Sequence, residues 1–396
     1  MFGVAGRYSQ KSRDEKMAVR VSNRYRAPMS ILDGHKQALE VLAQRARTRS
    51  LIARRGADFA SNDYLGLSGS QALRDAVAAA IERGVAIGAG GSRLLRGNDP
   101  EHEALEAEAA AFFGSEASLW FSSGFAANSA IFATLPAQRD LIVHDELIHA
   151  SAHEGMRLGR ATTVSVAHNE PQAFADAIEK WRVEGGKGRA WIAVESLYSM
   201  DGDIAPLTDI AEIAAREDAF LIIDEAHATG VFGPDGRGLA ADLEGRENVV
   251  TLRTCGKALG TEGALVCAAR TLIDTLVSRA RGFIFSTAPS PLMAAATRAS
   301  LRLLVTEPKR RAQLHDLITH AATVLPATGS QIVPVIIGDD ARTMAIAGEL
   351  QASGYDVRGI RPPTVPTGTS RLRVSLTNNV TRDQVSGLAA RIEELA

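Results

Sequence analysis

Ala219-Phe220-Leu221-Ile222-Ile223-Asp224-Glu225-Ala226-His227 runs from five apolar residues directly into two carboxylates and a histidine. A short apolar run of this kind reads as a buried strand, which puts Asp224 at its carboxyl end and His227 one turn further on. Both side chains can then point into one cleft. In open α/β sheets, ligands bind outside the carboxyl ends of the strands. Similar short runs recur on either side, near 118–121, 141–144, 163–166, 191–195, 249–253 and 263–267, with amphipathic stretches between them at 124–133, 149–157, 171–180, 207–217 and 272–280. This alternation predicts an α/β fold with a mostly parallel central sheet and helices on both faces.

Pro289-Ser290-Pro291 breaks the pattern. Beyond it the spacing predicts one long helix to about Leu325, strands near 331–337, 356–359 and 372–375, and helices near 342–352 and 382–395, a smaller C-terminal α+β domain. Ahead of the sheet, Ile31, Leu32, Ala38, Leu39, Leu42 and Ala43 recur at helical spacing. The expected organisation is an N-terminal extension and helical arm over 1–60, a large domain over 61–288 and a small one over 289–396. Within this, residues 1–28 read as an uninformative extension.

Only seven lysines occur, and Lys257 stands between glycines in Thr254-Cys255-Gly256-Lys257-Ala258-Leu259-Gly260, directly after an apolar strand. An arginine would serve a surface ion pair equally well, whereas capture of an aldehyde or ketone needs an amine that can shed its proton. Partial burial would favour that by lowering its pKa. A plain loop lysine is the other reading. The segment is no P-loop, because Thr251 stands where that motif has its first glycine and Ala258 where it has Ser or Thr. Asp224 could hold a proton on a heterocyclic nitrogen and His227 could bond a phenolic oxygen. They could equally be a capping residue and a surface histidine. Half a metal site is a further reading, but no second ligand cluster accompanies it, so no metal is expected. Ser122-Ser123-Gly124-Phe125-Ala126-Ala127-Asn128 links a strand to a helix, so its N–H groups either receive a phosphate or simply form the turn. His149 opens another helix, where it could stack on a planar cofactor or serve as a cap.

Charge and cysteine content exclude several classes. With 44 Lys and Arg against 46 Asp and Glu, no basic field exists to draw in nucleic acid or anionic lipid. The apolar runs are too short to span a membrane. The first 28 residues carry five Arg and two Lys with no apolar core, unlike a secretory signal. Cys255 and Cys267 cannot build a disulfide framework, and a cytoplasmic location is expected. No Gly-x-Ser-x-Gly elbow supports a serine hydrolase.

Taken in order, Ser61-Asn62-Asp63-Tyr64-Leu65-Gly66-Leu67, Gly90-Gly91-Ser92-Arg93, Ser123–Asn128, Ser199-Met200-Asp201-Gly202-Asp203, Asp224–Gly230 and Thr254-x-Gly256-Lys257 resemble the fold-type I pyridoxal-phosphate transferases, and within them the α-oxoamine synthases. The resemblance covers about Ile31 to Ala396. The segment Ile360–Arg373 is most similar to the branch that condenses L-alanine with pimeloyl-CoA in biotin synthesis. The resemblance implies pyridoxal 5'-phosphate as cofactor, held covalently by Lys257, which also removes the Cα proton. It implies that Asp224 pairs with the ring nitrogen, that His149 stacks on the ring, and that His227 and Ser199 bond its phenolic oxygen. Gly124, Phe125 and Thr254 would bind the phosphate, with Ser286 and Thr287 completing that site from a second subunit of a homodimer. Arg361 would hold the amino-acid carboxylate, Asn62 would lie near the substrate and Thr364 near the acyl chain. One of Arg45, Arg47 and Arg49 would sit near the acyl or CoA group. Cys255, where the family often has an aromatic residue, and Thr261-Glu262-Gly263 depart from the pattern and leave open a sister enzyme that uses glycine or serine with another acyl-CoA.

Overall fold

The computed structural model describes residues 30–395, so the expected extension over 1–28 lies outside the described residues. The chain divides into two units. The first ends at Thr48 and contains the helix Asp33–Gln44, which buries none of its residues; the second runs from Arg49 onward.

The second unit holds twelve strands among the described residues: β1 (Ala57–Asp58), β2 (Ala117–Phe121), β3 (Leu141–Asp145), β4 (Thr162–Val166), β5 (Ala190–Glu195), β6 (Phe220–Asp224), β7 (Val249–Thr254), β8 (Ala264–Ala268), β9 (Ile332–Gly338), β10 (Tyr355–Asp356), β11 (Arg358–Ile360) and β12 (Ser370–Ser375). Seven of them form the main sheet in the order β2-β8-β7-β6-β5-β3-β4. From β7 to β4 every pairing is parallel, while β8 runs antiparallel to both β7 and β2. The reversal follows from length. Cys255 to Gly263 is shorter than the dozen or so residues a parallel crossover needs, so the chain turns back on itself and Lys257 rides on the turn.

Both faces of the sheet are covered, which is why its central strands are apolar throughout. Ile222 and Val250 pack with Ala127 and Ile131 on one face; Leu221 and Ile223 pack with Phe174 and Ile210 on the other. A separate antiparallel sheet, β11-β12-β9, stands beside the main one. Alternation along β12 sends Leu372 and Val374 into the apolar core and leaves Arg371 and Arg373 on the opposite face. The predicted long helix is two, Pro291–Thr306 and Pro308–Ala321. Pro308 lacks the N–H needed to continue, and it pushes Glu307 to φ −120°, ψ 54°. The short parallel pair β1–β10 has no counterpart in the sequence pattern, because two residues are too few to show a period.

Arg253, wholly buried in β7, lies 3.3 Å from Glu225 Oε2, contacts Glu244, donates to Thr229 Oγ1 and stacks 4.0 Å from the centroid of Phe113. Gly238 closes over this cluster: a Cβ there would lie 1.5 Å from Glu225 Oε2. Removing the cation would leave two carboxylates uncompensated out of water. Arg253→Met is therefore expected to cost about 3–5 kcal/mol of folding free energy, read as a lower urea midpoint at unchanged slope. An unmoved midpoint would refute it.

Candidate active site

Three neighbouring strands of the main sheet end in acids: Asp145 on β3, Glu195 on β5 and Asp224 on β6, with Glu195 and Asp224 directly paired in register. Asp224 is buried, and it accepts from Asn128 Nδ2 at 2.9 Å and from the Ala226 N–H at 3.0 Å. The other hydrogen of Asn128 Nδ2 goes to Ser151 Oγ at 2.9 Å. Ser151 in turn fixes His149: its N–H donates to Nδ1 at 3.2 Å and its hydroxyl lies 2.7 Å from the same nitrogen. That nitrogen is thus the acceptor, and the ring proton sits on Nε2. Desolvation holds the His149 pKa below its usual value, and Lys257 lowers it further while Asp224 opposes.

Lys257 is half-buried on the turn between β7 and β8, with Nζ 2.8 Å from His227 Nε2. Burial lowers its pKa to about 8; Asp224 and Glu195 pull upward and Arg373 adds a smaller downward push. His227 is driven well below its ordinary value by burial and then by Lys257, so its ring is neutral. Its carbonyl accepts from Gln331 Nε2 at 2.7 Å, and its Nδ1 lies 2.6 Å from the Tyr64 hydroxyl. Tyr64 Oη reaches Asn62 Oδ1 at 3.0 Å, and Arg373 Nη1 donates to that same oxygen at 3.2 Å. Arg373 Nε also donates to the carbonyl of Ser199 at 2.6 Å, and Ser199 N–H donates to Glu195 Oε2 at 3.1 Å. Glu195 is raised well above the usual carboxylate range by burial and by Asp224, and its Oε1 is buried without a hydrogen-bond partner.

The turn after β2 forms a cradle. Ser123 caps the helix Gly124–Thr134 by accepting from Ala126 N–H at 3.1 Å. The N–H groups of Gly124 and Phe125 precede the first intrahelical bond and carry the positive end of the helix dipole. A Cβ on Gly124 would come within 2.6 Å of Thr254 Cγ2, so glycine is what lets the helix start approach the end of β7. Amides, a hydroxyl and a dipole in this arrangement fit a phosphate.

A cavity of about 550 Å³ is lined by His149, Ser199 and Thr364 together with Arg49, and Arg49 Nη2 lies 3.3 Å from Thr364 Oγ1. Of the three arginines weighed for the acyl group, Arg49 is in this unit, whereas Arg45 and Arg47 belong to the first unit. Arg361 follows β11 and sets its Nη1 2.9 Å from Met344 Sδ. Ser286 and Thr287 line a separate small recess with Arg93 and Phe283. Cys255 is buried in the core beside Trp120 and Leu259 and does not line the 550 Å³ cavity. Sequence spacing gives no role to Tyr64, Arg373, Glu195 or Ser151. The alternation of β12 and the acidic end of β5 are the signals that point to two of them.

The family of class I and II aminotransferases matches residues 54–392. An 8-amino-7-oxononanoate synthase of Anaeromyxobacter dehalogenans (strain 2CP-1 / ATCC BAA-258) is 44% identical over 340 residues, 84% of each chain. The crystal structure of an 8-amino-7-oxononanoate synthase from Francisella tularensis is 30% identical with a TM-score of 0.72, covering 86% of this chain and 97% of that one. A serine palmitoyltransferase (SPT) chain with PLP is 25% identical with a TM-score of 0.83, covering 93% and 98%. The chain belongs to the class I and II aminotransferase family, with the fold-type I architecture, and within it to the α-oxoamine synthases. It is a PLP-dependent acyltransferase, and the cradle at Gly124 and the amine of Lys257 fit its cofactor, pyridoxal phosphate.

Because only the neutral amine attacks a carbonyl, capture of pyridoxal phosphate by cofactor-free protein should rise about tenfold per pH unit below 8 and level off above it. Stopped-flow absorbance checks this. A midpoint near the 10.5 of an ordinary lysine would contradict the burial argument.

Proposed function

We propose that this enzyme condenses L-alanine with pimeloyl-CoA, releasing CoA and carbon dioxide and forming 8-amino-7-oxononanoate, a step of biotin synthesis in the cytoplasm. The observation that carries this reading is the cavity beside His149, with Arg49 and Thr364 on one wall. It offers a guanidinium to an acyl chain that itself ends in a carboxylate, and the curated relatives bear the name of that synthase. No helix among the described residues is long and apolar enough to cross a membrane.

Bound pyridoxal phosphate supplies an electron sink that stabilises negative charge at the amino acid's Cα. Lys257 would hold the cofactor covalently, and its amine, once free, would take the Cα proton of alanine. Asp224, steadied by Asn128 and the Ala226 N–H, would pair with the ring nitrogen and keep its proton in place. His149 would cover one ring face, in the orientation that Ser151 sets. His227 and Ser199 would bond the phenolic oxygen, and Gly124, Phe125 and Thr254 would hold the phosphate. Arg361 grips the substrate carboxylate, as a planar guanidinium does well, and loosens it before carbon dioxide leaves. Asn62, turned by Arg373 and Tyr64, lines the substrate side, and Thr364 lies along the acyl chain.

The active form is a homodimer in which Ser286 and Thr287 complete the phosphate site of the second subunit. Segments 86–91 and 288–290 are joined by the Ala288 N–H to Gly91 carbonyl bond and the Ser290 hydroxyl to Ile87 carbonyl bond, and Ile87 and Phe285 are exposed beside them. Apolar side chains set around a phosphate-facing loop suit burial against a second copy.

Purified enzyme should release free CoA from alanine and pimeloyl-CoA faster than from glycine or serine with the same or longer acyl-CoAs. A faster second pair would replace the substrate assignment. Arg49→Ala should raise KM for pimeloyl-CoA at least tenfold with kcat little changed, since a charge-assisted bond contributes about 1.5–3 kcal/mol. Size-exclusion chromatography showing an active monomer would overturn the shared site.

A further inference from the structure

Tyr64 is fully buried and its hydroxyl stands between His227 Nδ1, at 2.6 Å, and Asn62 Oδ1, at 3.0 Å. The donors around Asn62 fix the direction of these bonds. Arg373 only donates, so the Asn62 atom it meets at 3.2 Å is the amide oxygen. Tyr64 must then spend its single proton on that oxygen. The lone pair of Oη is what remains for His227, so Nδ1 carries the ring proton and donates. The ring is neutral, and Nε2 therefore presents a lone pair to Lys257 Nζ at 2.8 Å. Arg373, Asn62, Tyr64 and His227 form one directed chain that ends at the amine.

This direction matters to a nucleophile. An amine that donates to Nε2 keeps its own lone pair free. With the ring in its other tautomer, Nε2–H would donate to the amine and occupy that lone pair. We propose that Tyr64 is a positioning residue that holds His227 as an acceptor toward Lys257, leaving the lone pair of the neutral amine free to capture a carbonyl. The inference rests on the cofactor-holding role given to Lys257 above and deepens it.

Two measurements test it on the whole protein. In cofactor-free wild type, ¹⁵N shifts of the His227 ring should show a protonated Nδ1 and a bare Nε2, and the reverse pattern would overturn the proposal without any variant. In Tyr64→Phe, pyridoxal phosphate capture should plateau about tenfold lower at high pH, the scale of losing a histidine's orienting partner. Its midpoint should also fall below the wild-type value near 8, because an Nε2–H bond to the amine favours the uncharged form. A merely structural loosening would admit water and move the midpoint the other way, toward 10.5. The groups that set this midpoint from the surrounding elements are Asp224, Glu195, Arg373 and His227. Unchanged capture, or an upward shift, would overturn the role of Tyr64. If the variant does not fold, the wild-type ring shifts decide. Failure of both proteins to capture pyridoxal phosphate at any pH would strike the role of Lys257, while the ring shifts would still decide for Tyr64.

Discussion

Lys257 is held where the loss of water works against its charge more strongly than Asp224 and Glu195 favour it, and much of the architecture serves that imbalance. The short return from β7 to β8 fixes the height of the amine above the sheet. The end of β6 supplies negative charge through Asp224. The neutral His227 ring supplies an acceptor without a competing charge. Change any of the three and the amine becomes either an ordinary surface ammonium or a buried group with no partner.

Two buried arginines do different work around this centre. Arg253 compensates Glu225 and Glu244 inside the main sheet, one residue before Thr254, whose Cγ2 packs against Gly124, so the end of β7 is anchored from behind. Arg373 comes from the small sheet and meets Asn62 and the Ser199 carbonyl. These three residues are far apart in the chain. Through Arg373, the position of β12 is registered on both Asn62 and the turn at Ser199, so displacement of the small sheet would be felt at both.

Much of this was legible before the structure. The apolar runs predict all seven strands of the main sheet within a residue or two at each end, because buried parallel strands are short, apolar and bounded by turns. Asp224, Lys257, Gly124 and His149 stand out because each directly follows a strand or opens a helix. What stays hidden depends on contacts across the chain. Arg373 reads as one arginine among many until β12 is seen to pair with β9 and β11. Tyr64 looks like a core aromatic, and so it is, save for one oxygen. Glu195 ends a strand as Asp224 does, but only the register shows the two side by side. The break at Pro308 was open to reading from the sequence; the helical spacing on either side obscures it.

The reversal at β8 has a consequence for how such an enzyme can change over generations. Because both feet of the lysine-bearing turn stand on adjacent strands of one sheet, residues gained or lost there lengthen or shorten a hairpin and leave every other strand in its place. A crossover in that position would transmit the same change to a helix and to the next strand. The order of the strands is thus insulated from such a change, which is met instead by the core side chains Cys255, Ala258 and Leu259 that the turn itself buries.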